Sequence, residues 1–310
     1  MIRISLFILL LLLLACAKKE TSTALPSEPF LMVLGTAQDA GFPQAACQKA
    51  CCRPVWQGEK AREWVSCLAY VDPKSDQAWL FDATPDFKDQ LYYLQEKLGV
   101  SLAGIFLTHA HMGHYTGLMH LGREAMGAAG VPVYVMPEMY NYLSENGPWS
   151  QLQELGNIEL IKIQADSLIR PSSGLAVLAM RVPHRDEFSE TVGYSIRGGN
   201  KKALFIPDID KWQLWERSID SVSQQHDWSF LDGSFFANGE IPGRDMSEIP
   251  HPFVQESLQR WQGLPANEKA RIHFIHFNHT NPLLYPESEQ SQRVLQQGFG
   301  IARTGAVFPL

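Results

Sequence analysis

The segment Leu107-Thr108-His109-Ala110-His111-Met112-Gly113-His114 places three histidines within six residues, in a chain with ten histidines over 310 residues. Neutral imidazole is a good ligand for zinc and other borderline cations, so several rings aimed at one point make a metal site. The apolar run just before them, 104–108, reads as a short buried strand. A strand end fixes the backbone, and the tight loop after it can present the rings together. The chemistry to expect is metal-assisted.

Those rings need a frame, and the rest of the pattern supplies one. Strands are expected at 30–36, 66–71, 78–82, 104–108, 131–136, 158–163, 175–182, 191–197, 202–206, 229–231 and 271–277. Helices are expected at 85–98, 113–126, 137–146, 211–224, 252–261 and 290–298. In the first of these, Phe87, Leu91, Leu94 and Leu98 share a face, and Gly99 suits a helix end. Strands and helices alternate in both halves, which predicts a layered α/β domain over 30–310.

Hydrophobic residues make up 45% of the chain and charged residues 19%, enough to bury a core and too apolar for a disordered chain. The net charge of −7, with no basic run, argues against a nucleic-acid partner. The N-terminus reads as an address. Arg3 precedes ten apolar residues, Leu6 to Ala15, too few to span a bilayer and suited to a signal peptide. The run ends Leu13-Leu14-Ala15-Cys16, which resembles a bacterial lipobox with Cys16 as the lipidated residue. Residues 1–15 are then a signal peptide and 16–29 a flexible tether. The expected location is the bacterial cell envelope, with the membrane as partner through the lipid.

Further residues line up with the histidine cluster. Asp82 follows a strand in Leu80-Phe81-Asp82-Ala83-Thr84-Pro85-Asp86, and His184 follows Arg181-Val182-Pro183. Asp208 ends Phe205-Ile206-Pro207-Asp208, and His276 ends Phe274-Ile275-His276. Five such elements in order resemble the metallo-β-lactamase superfamily, across roughly 30–310. The resemblance implies a four-layer αββα sandwich with a metal site at one edge. It implies His109, His111 and His184 as ligands of one metal, His114 and His276 of a second, and Asp208 bridging both, with Asp210 its rival. It implies Asp82 as a carboxylate holding a ligand from behind, and Asp208, His114 and Asp82 as the catalytic set. Gly113 stands where the superfamily's motif has an aspartate. Either the second metal is weak or absent, or Asp39, Asp86 or Asp186 takes that place.

Within the superfamily, Leu34-Gly35-Thr36-Ala37, Gly41-Phe42-Pro43-Gln44, Phe230-Leu231-Asp232-Gly233-Ser234 and His276-Phe277-Asn278-His279 resemble two groups. These are the pyrroloquinoline-quinone biosynthesis B proteins and the cyclic phosphodiesterases of phosphonate breakdown. The second group implies a structural zinc held by Cys47, Cys51, Cys52 and His279, with a disulfide from Cys47 or Cys51 to Cys67, or simple buried thiols, as the alternatives. His251 and Asp232 are candidates for substrate contact. The expected function is hydrolysis of a small-molecule ester, lactone or phosphodiester, with zinc, or manganese or iron, at the catalytic site. An Fe(II)-dependent oxygenase and a non-catalytic metal-binding lipoprotein are the alternatives. A homodimer follows from the resemblance alone.

Overall fold

A computed structural model describes residues 25–310. Cys16 and the expected signal peptide lie outside the described residues. The first half of the chain builds one sheet from β1 (Phe30–Gly35), β2 (Cys67–Asp72), β3 (Gln77–Phe81), β4 (Ser101–Phe106), β5 (Val131–Val135) and β6 (Ile158–Lys162). The second half builds another from β7 (Leu168–Ile169), β8 (Leu175–Arg181), β9 (Val192–Gly198), β10 (Lys201–Ile206), β11 (Trp228–Asp232), β12 (Ile272–Ile275) and β13 (Gly300–Ile301). A last strand, β14 (Val307–Pro309), returns to the first sheet and pairs antiparallel with β1.

The layers follow from strand alternation. In β1, Leu31 and Val33 point to one face and Phe30, Met32 and Leu34 to the other, and all are buried. The first set joins Tyr70, Phe81, Phe106, Val177, Tyr194 and Phe205 in a core between the two sheets. Phe81 stacks on Phe106 at 5.2 Å, and both meet Tyr194. Each such side chain contributes about 1.5–3 kcal/mol by burial. The second set packs under Phe87, Leu91, Leu118, Met139 and Leu143 on the outer helices. Across the molecule, Met180, Leu204, Leu231 and Phe274 pack under Trp212, Val254, Leu258 and Trp261. The order is helix, sheet, sheet, helix, the expected αββα sandwich.

Strands β3 to β6 run parallel, as do β10, β11 and β12, while β8 is antiparallel to β9 and β9 to β10. The carboxyl ends of β8, β10, β11 and β12 therefore share one edge, where ligands of open α/β sheets gather.

Several expected helices are shorter. Residues 113–126 give one turn, Met112–Tyr115, and then a tighter helix, Thr116–Leu121. The span 211–224 breaks into Trp212–Leu214 and Ile219–Gln224. Two indoles cause the break. Trp212 donates to the Ser257 hydroxyl at 2.9 Å and Trp215 to the Arg181 carbonyl at 2.7 Å, and Trp215 adopts extended backbone. The span 85–98 becomes Phe87–Tyr92 followed by a wide π turn, Tyr93–Lys97.

Candidate metal centre

Every expected ligand follows a strand at that edge. His109, His111 and His114 follow β4, His184 follows β8, Asp208 follows β10, and His276 follows β12. Asp82 and His276 adopt φ of 76° and 68°, where side-chain-bearing residues rarely sit. Such strain costs on the order of 1–3 kcal/mol and persists where the surroundings dictate it.

One donor set joins His109, His111, His184 and Asp208, all within 4.8 Å of one another. His109 Nε2 lies 2.9 Å from His111 Nδ1 and 3.4 Å from Asp208 Oδ2, and His184 Nε2 lies 3.2 Å from the same oxygen. Four donors bound at about 2.1 Å in a tetrahedron stand about 3.4 Å apart. A second set joins His114, His276 and Asp39. Asp39 Oδ1 lies 3.1 Å from His114 Nε2 and 3.4 Å from His276 Nε2. Asp208 Oδ2, 4.0 Å from His114 Nε2, stands between the sets. Asp210 is not its substitute.

Asp39 answers the question raised by Gly113. Of the three candidates, Asp86 accepts from the Val65 amide, and Asp186 accepts from Thr191 and faces Arg181. Only Asp39 reaches the imidazoles. Of the alternatives raised by Gly113, the geometry matches a replacement carboxylate from Asp39. The one signal for Asp39 in the sequence was the missing motif aspartate itself.

Every ring in the two sets is held by its other nitrogen, as ligating histidines almost always are. His109 Nδ1 donates to Thr108 Oγ1 at 2.9 Å, and Thr108 in turn donates to Asp82 at 2.9 Å. His114 Nδ1 donates to Asp82 at 2.7 Å, His184 Nδ1 to Asp210 at 3.0 Å and His276 Nδ1 to Ser234 at 2.9 Å. His111 Nε2 faces Glu187 at 3.1 Å. Asp82 is fully buried and acts through these rings, so it positions rather than reacts.

The donor atoms fit a cation. His184 Nε2, His276 Nε2 and Asp208 Oδ1 are buried and lack a hydrogen-bond partner, which is costly in a protein interior unless something else meets them. Burial opposes charge on Asp208, yet His184 and His251, with His109 and His111, hold it well below the usual carboxylate range. Burial likewise opposes charge on Asp39, and hydrogen bonds from His114 and His276 outweigh it. Burial would strip His114 of its proton, but Asp82 and Asp39 push it well above the usual range. The same two carboxylates would favour a cation at that ring.

His251 Nδ1 lies 2.9 Å from Asp232 Oδ2 and 3.1 Å from Asp208 Oδ1. Asp232 is not placed for the expected substrate contact. It is fully buried, with Oδ2 also accepting from Ile209 N and Oδ1 from Ser234 N, so it positions His251.

Cys47, Cys51, Cys52 and His279 form a separate cluster. The Cys47 and Cys51 sulfurs are 3.7 Å apart, and His279 Nδ1 is 3.6 Å from Cys51 Sγ and 3.3 Å from Cys52 Sγ. Zn–S bonds of about 2.3 Å in a tetrahedron separate sulfurs by about 3.8 Å. Cys67 lies elsewhere, buried against the Leu68 and Asp82 carbonyls, and all four described cysteines are free, which removes the disulfide alternative. Burial, with the neighbouring thiols, pushes Cys52 up to about 12, so thiolates gathered here call for a cation among them.

The chain is 27% identical to coenzyme PQQ synthesis protein B of Gluconobacter oxydans over 308 residues, covering 90% of this chain and 98% of that protein. It is 28% identical to the protein of that name from Klebsiella pneumoniae, covering 91% and 98%. Zinc-bound PqqB from Methylobacterium extorquens superposes with a TM-score of 0.75 at 22% identity, covering 91% of this chain and all of that one (100%). A diphosphatase of the PhnP family gives 0.63 at 22% identity, covering 91% and 98%. Metal-binding side-chain clusters thus stand on a fold shared with a zinc-bound protein. Residues 78–276, more than half of the chain, match the β-lactamase superfamily domain, and the chain belongs to that superfamily.

Proposed function

We propose that the chain is a metal-dependent hydrolase of a small ester, lactone or phosphodiester. The observation that carries this reading is Asp208, whose Oδ2 faces His109 and His184 at 3.4 and 3.2 Å and lies 4.0 Å from His114 of the adjoining set. His109, His111, His184 and Asp208 would hold one cation, and His114, His276, Asp39 and Asp208 a second. Such a cation lowers the pKa of a coordinated water from about 15.7 towards about 7 and polarises a carbonyl or phosphoryl oxygen. Asp208 and Asp39 would balance the charge of the bound cations. His251 Nδ1 donates to Asp232 Oδ2 at 2.9 Å, which sets the ring's orientation beside the cleft. His279, engaged by thiols, takes no part in the reaction. Zinc suits both clusters, and manganese or iron suits the histidine–carboxylate set.

The test is a panel of ester, lactone and phosphodiester substrates with the purified chain loaded with Zn, Mn or Fe, beside His109→Ala. Turnover that disappears in the variant supports the proposal. Filled sites without turnover on any class would favour a binding protein. The similarity to PQQ synthesis protein B supports a second reading, an Fe(II)-dependent oxygenase, for which oxygen uptake by the iron form is the readout. We also propose lipid attachment at Cys16 in the cell envelope, on the strength of Leu13-Leu14-Ala15-Cys16. Mass spectrometry of the mature N-terminus tests it, and an unacylated N-terminus would overturn it.

A further inference from the structure

On the outer face of the second sheet, a groove is walled by the helix Ile219–Gln224. Its floor includes Ala176, Leu178 and Ser195. Four cations line it, Arg170, Arg197, Lys202 and Arg217, in a chain whose net charge is −7. Arg217 is neutralised by Asp166 at 2.6 Å. Among the described residues, no carboxylate comes within ion-pair distance of the Arg170, Arg197 or Lys202 head groups. The nearby Asp227 accepts from the Lys202 backbone amide at 3.0 Å instead.

The register makes this arrangement costly. Arg197 on β9 pairs directly with Lys202 on β10, and Ala176 on β8 flanks Arg197 on its other side. Directly opposite residues have Cβ atoms about 4.5–5.5 Å apart, and like charges at that spacing destabilise a sheet. Arg170 adds a third positive charge where β7 ends. A second depression, lined by Arg170, Gly174, Arg197 and Gly199, continues the groove towards the sheet edge.

That edge is where the tether enters the domain. Leu310 donates its amide to the Pro29 carbonyl at 2.9 Å, and a Cβ on Gly199 would lie 2.9 Å from the Leu310 oxygen. The metal ligands stand at the opposite ends of the strands. The cationic end of the groove, at Arg170, Arg197 and Lys202, thus lies at the strand ends opposite the metal ligands, and its role is independent of the hydrolase reading.

We propose that this groove is an anion site taking a phosphate-type group, with Arg170, Arg197 and Lys202 as its binding residues. A phosphate bridging Arg197 and Lys202 relieves their repulsion and satisfies Arg170. Two sources share this chemistry, the headgroup of an anionic phospholipid and a soluble phosphate. A chain held at Cys16 would bring the groove to the membrane surface, so the headgroup is the favoured source.

The test compares the full metal-loaded chain with Arg197→Gln and Arg170→Gln/Arg197→Gln. Thermal melting is followed in chloride and in inorganic phosphate at matched ionic strength. Phosphate raises the wild-type melting temperature more than that of either variant, and in chloride Arg197→Gln melts no lower than wild type. Vesicles of phosphatidylcholine alone or with a quarter phosphatidylglycerol are then offered to all three proteins. Their common N-terminus cancels, and preference for the anionic vesicles falls about fivefold per cation removed if the headgroup is the ligand. A phosphate effect without vesicle preference supports the site with a soluble phosphate as its source. Equal phosphate response and equal vesicle preference in wild type and both variants would overturn the proposal.

Discussion

Gly113 and Asp39 occupy one another's space: a Cβ on Gly113 would fall 2.4 Å from the Asp39 Cα and 2.5 Å from its Oδ1. The superfamily's usual aspartate cannot stand at 113 while the 38–40 segment lies where it does. Here the carboxylate beside His114 and His276 comes from another loop, and the glycine leaves room for it. Gly113→Asp therefore lowers second-site metal content rather than raising it, because the nearest atom is backbone and cannot rotate away. Asp39→Ala also loses that metal and keeps the first. Elemental analysis of both variants decides, and a higher metal content in Gly113→Asp would refute the relation.

The carboxylates behind the rings carry a smaller effect. Asp210→Asn weakens the first site through His184, and Asp82→Asn weakens both through His109 and His114. Losses of about 10–100-fold in metal affinity are expected. Competition with a chromophoric chelator measures them.

Under the proposed hydrolase reading, His251 is the candidate for handling the proton. His251→Gln is expected to reduce kcat by about 10²–10⁴-fold, the usual worth of a positioned acid or base, with metal content unchanged. An equal loss of metal would reassign His251 to the ligand set, since Asp208, Asp232 and His251 also lie within 4.8 Å of one another.

The thiol cluster ties two loops that feed the second site. Cys47, Cys51 and Cys52 follow Asp39 on one loop, and His279 follows His276 by three residues on the other. Cys51→Ser is expected to lower the melting temperature and to reduce metal at the His114, His276 and Asp39 set as well. In the native protein, thiols at 47, 51 and 52 stay unreactive until a chelator is added. Thiols released only by a reductant would contradict this.

Glu240 gives the fold a pH dependence of its own. Burial pushes it up to about 7, against hydrogen bonds from Thr280 and the Phe236 amide. The folded chain keeps this proton between about 4.5 and 7, where the unfolded chain releases it. The contribution to stability is complete below about pH 4.5 and is lost as pH rises through 7, with a ceiling of about 3 kcal/mol. Glu240→Gln removes that slope and is expected to be the more stable protein at pH 8. Denaturant melts at pH 5 and pH 8 test the sign.

The histidine cluster and the strand-end positions of Asp82, His184, Asp208 and His276 were legible because each follows an apolar run that only a buried strand explains. The partners behind the rings were not. Thr108, Glu187, Asp210 and Ser234 are ordinary polar residues until the strand ends converge. The helix break at 215–218 escaped because its cause is long-range, two indoles bonded to residues on other elements. The two- and three-residue strands β7, β13 and β14 carry too little pattern to be read alone.

The donors come from both sheets. Asp39, His109, His111 and His114 belong to loops of the first, and His184, Asp208 and His276 to loops of the second. Neither half of the chain owns a complete set. Tight binding of a cation by either histidine set therefore requires the two sheets to be docked. A cation held there would act as a clasp, joining the first sheet to the second along the edge where the strand ends meet.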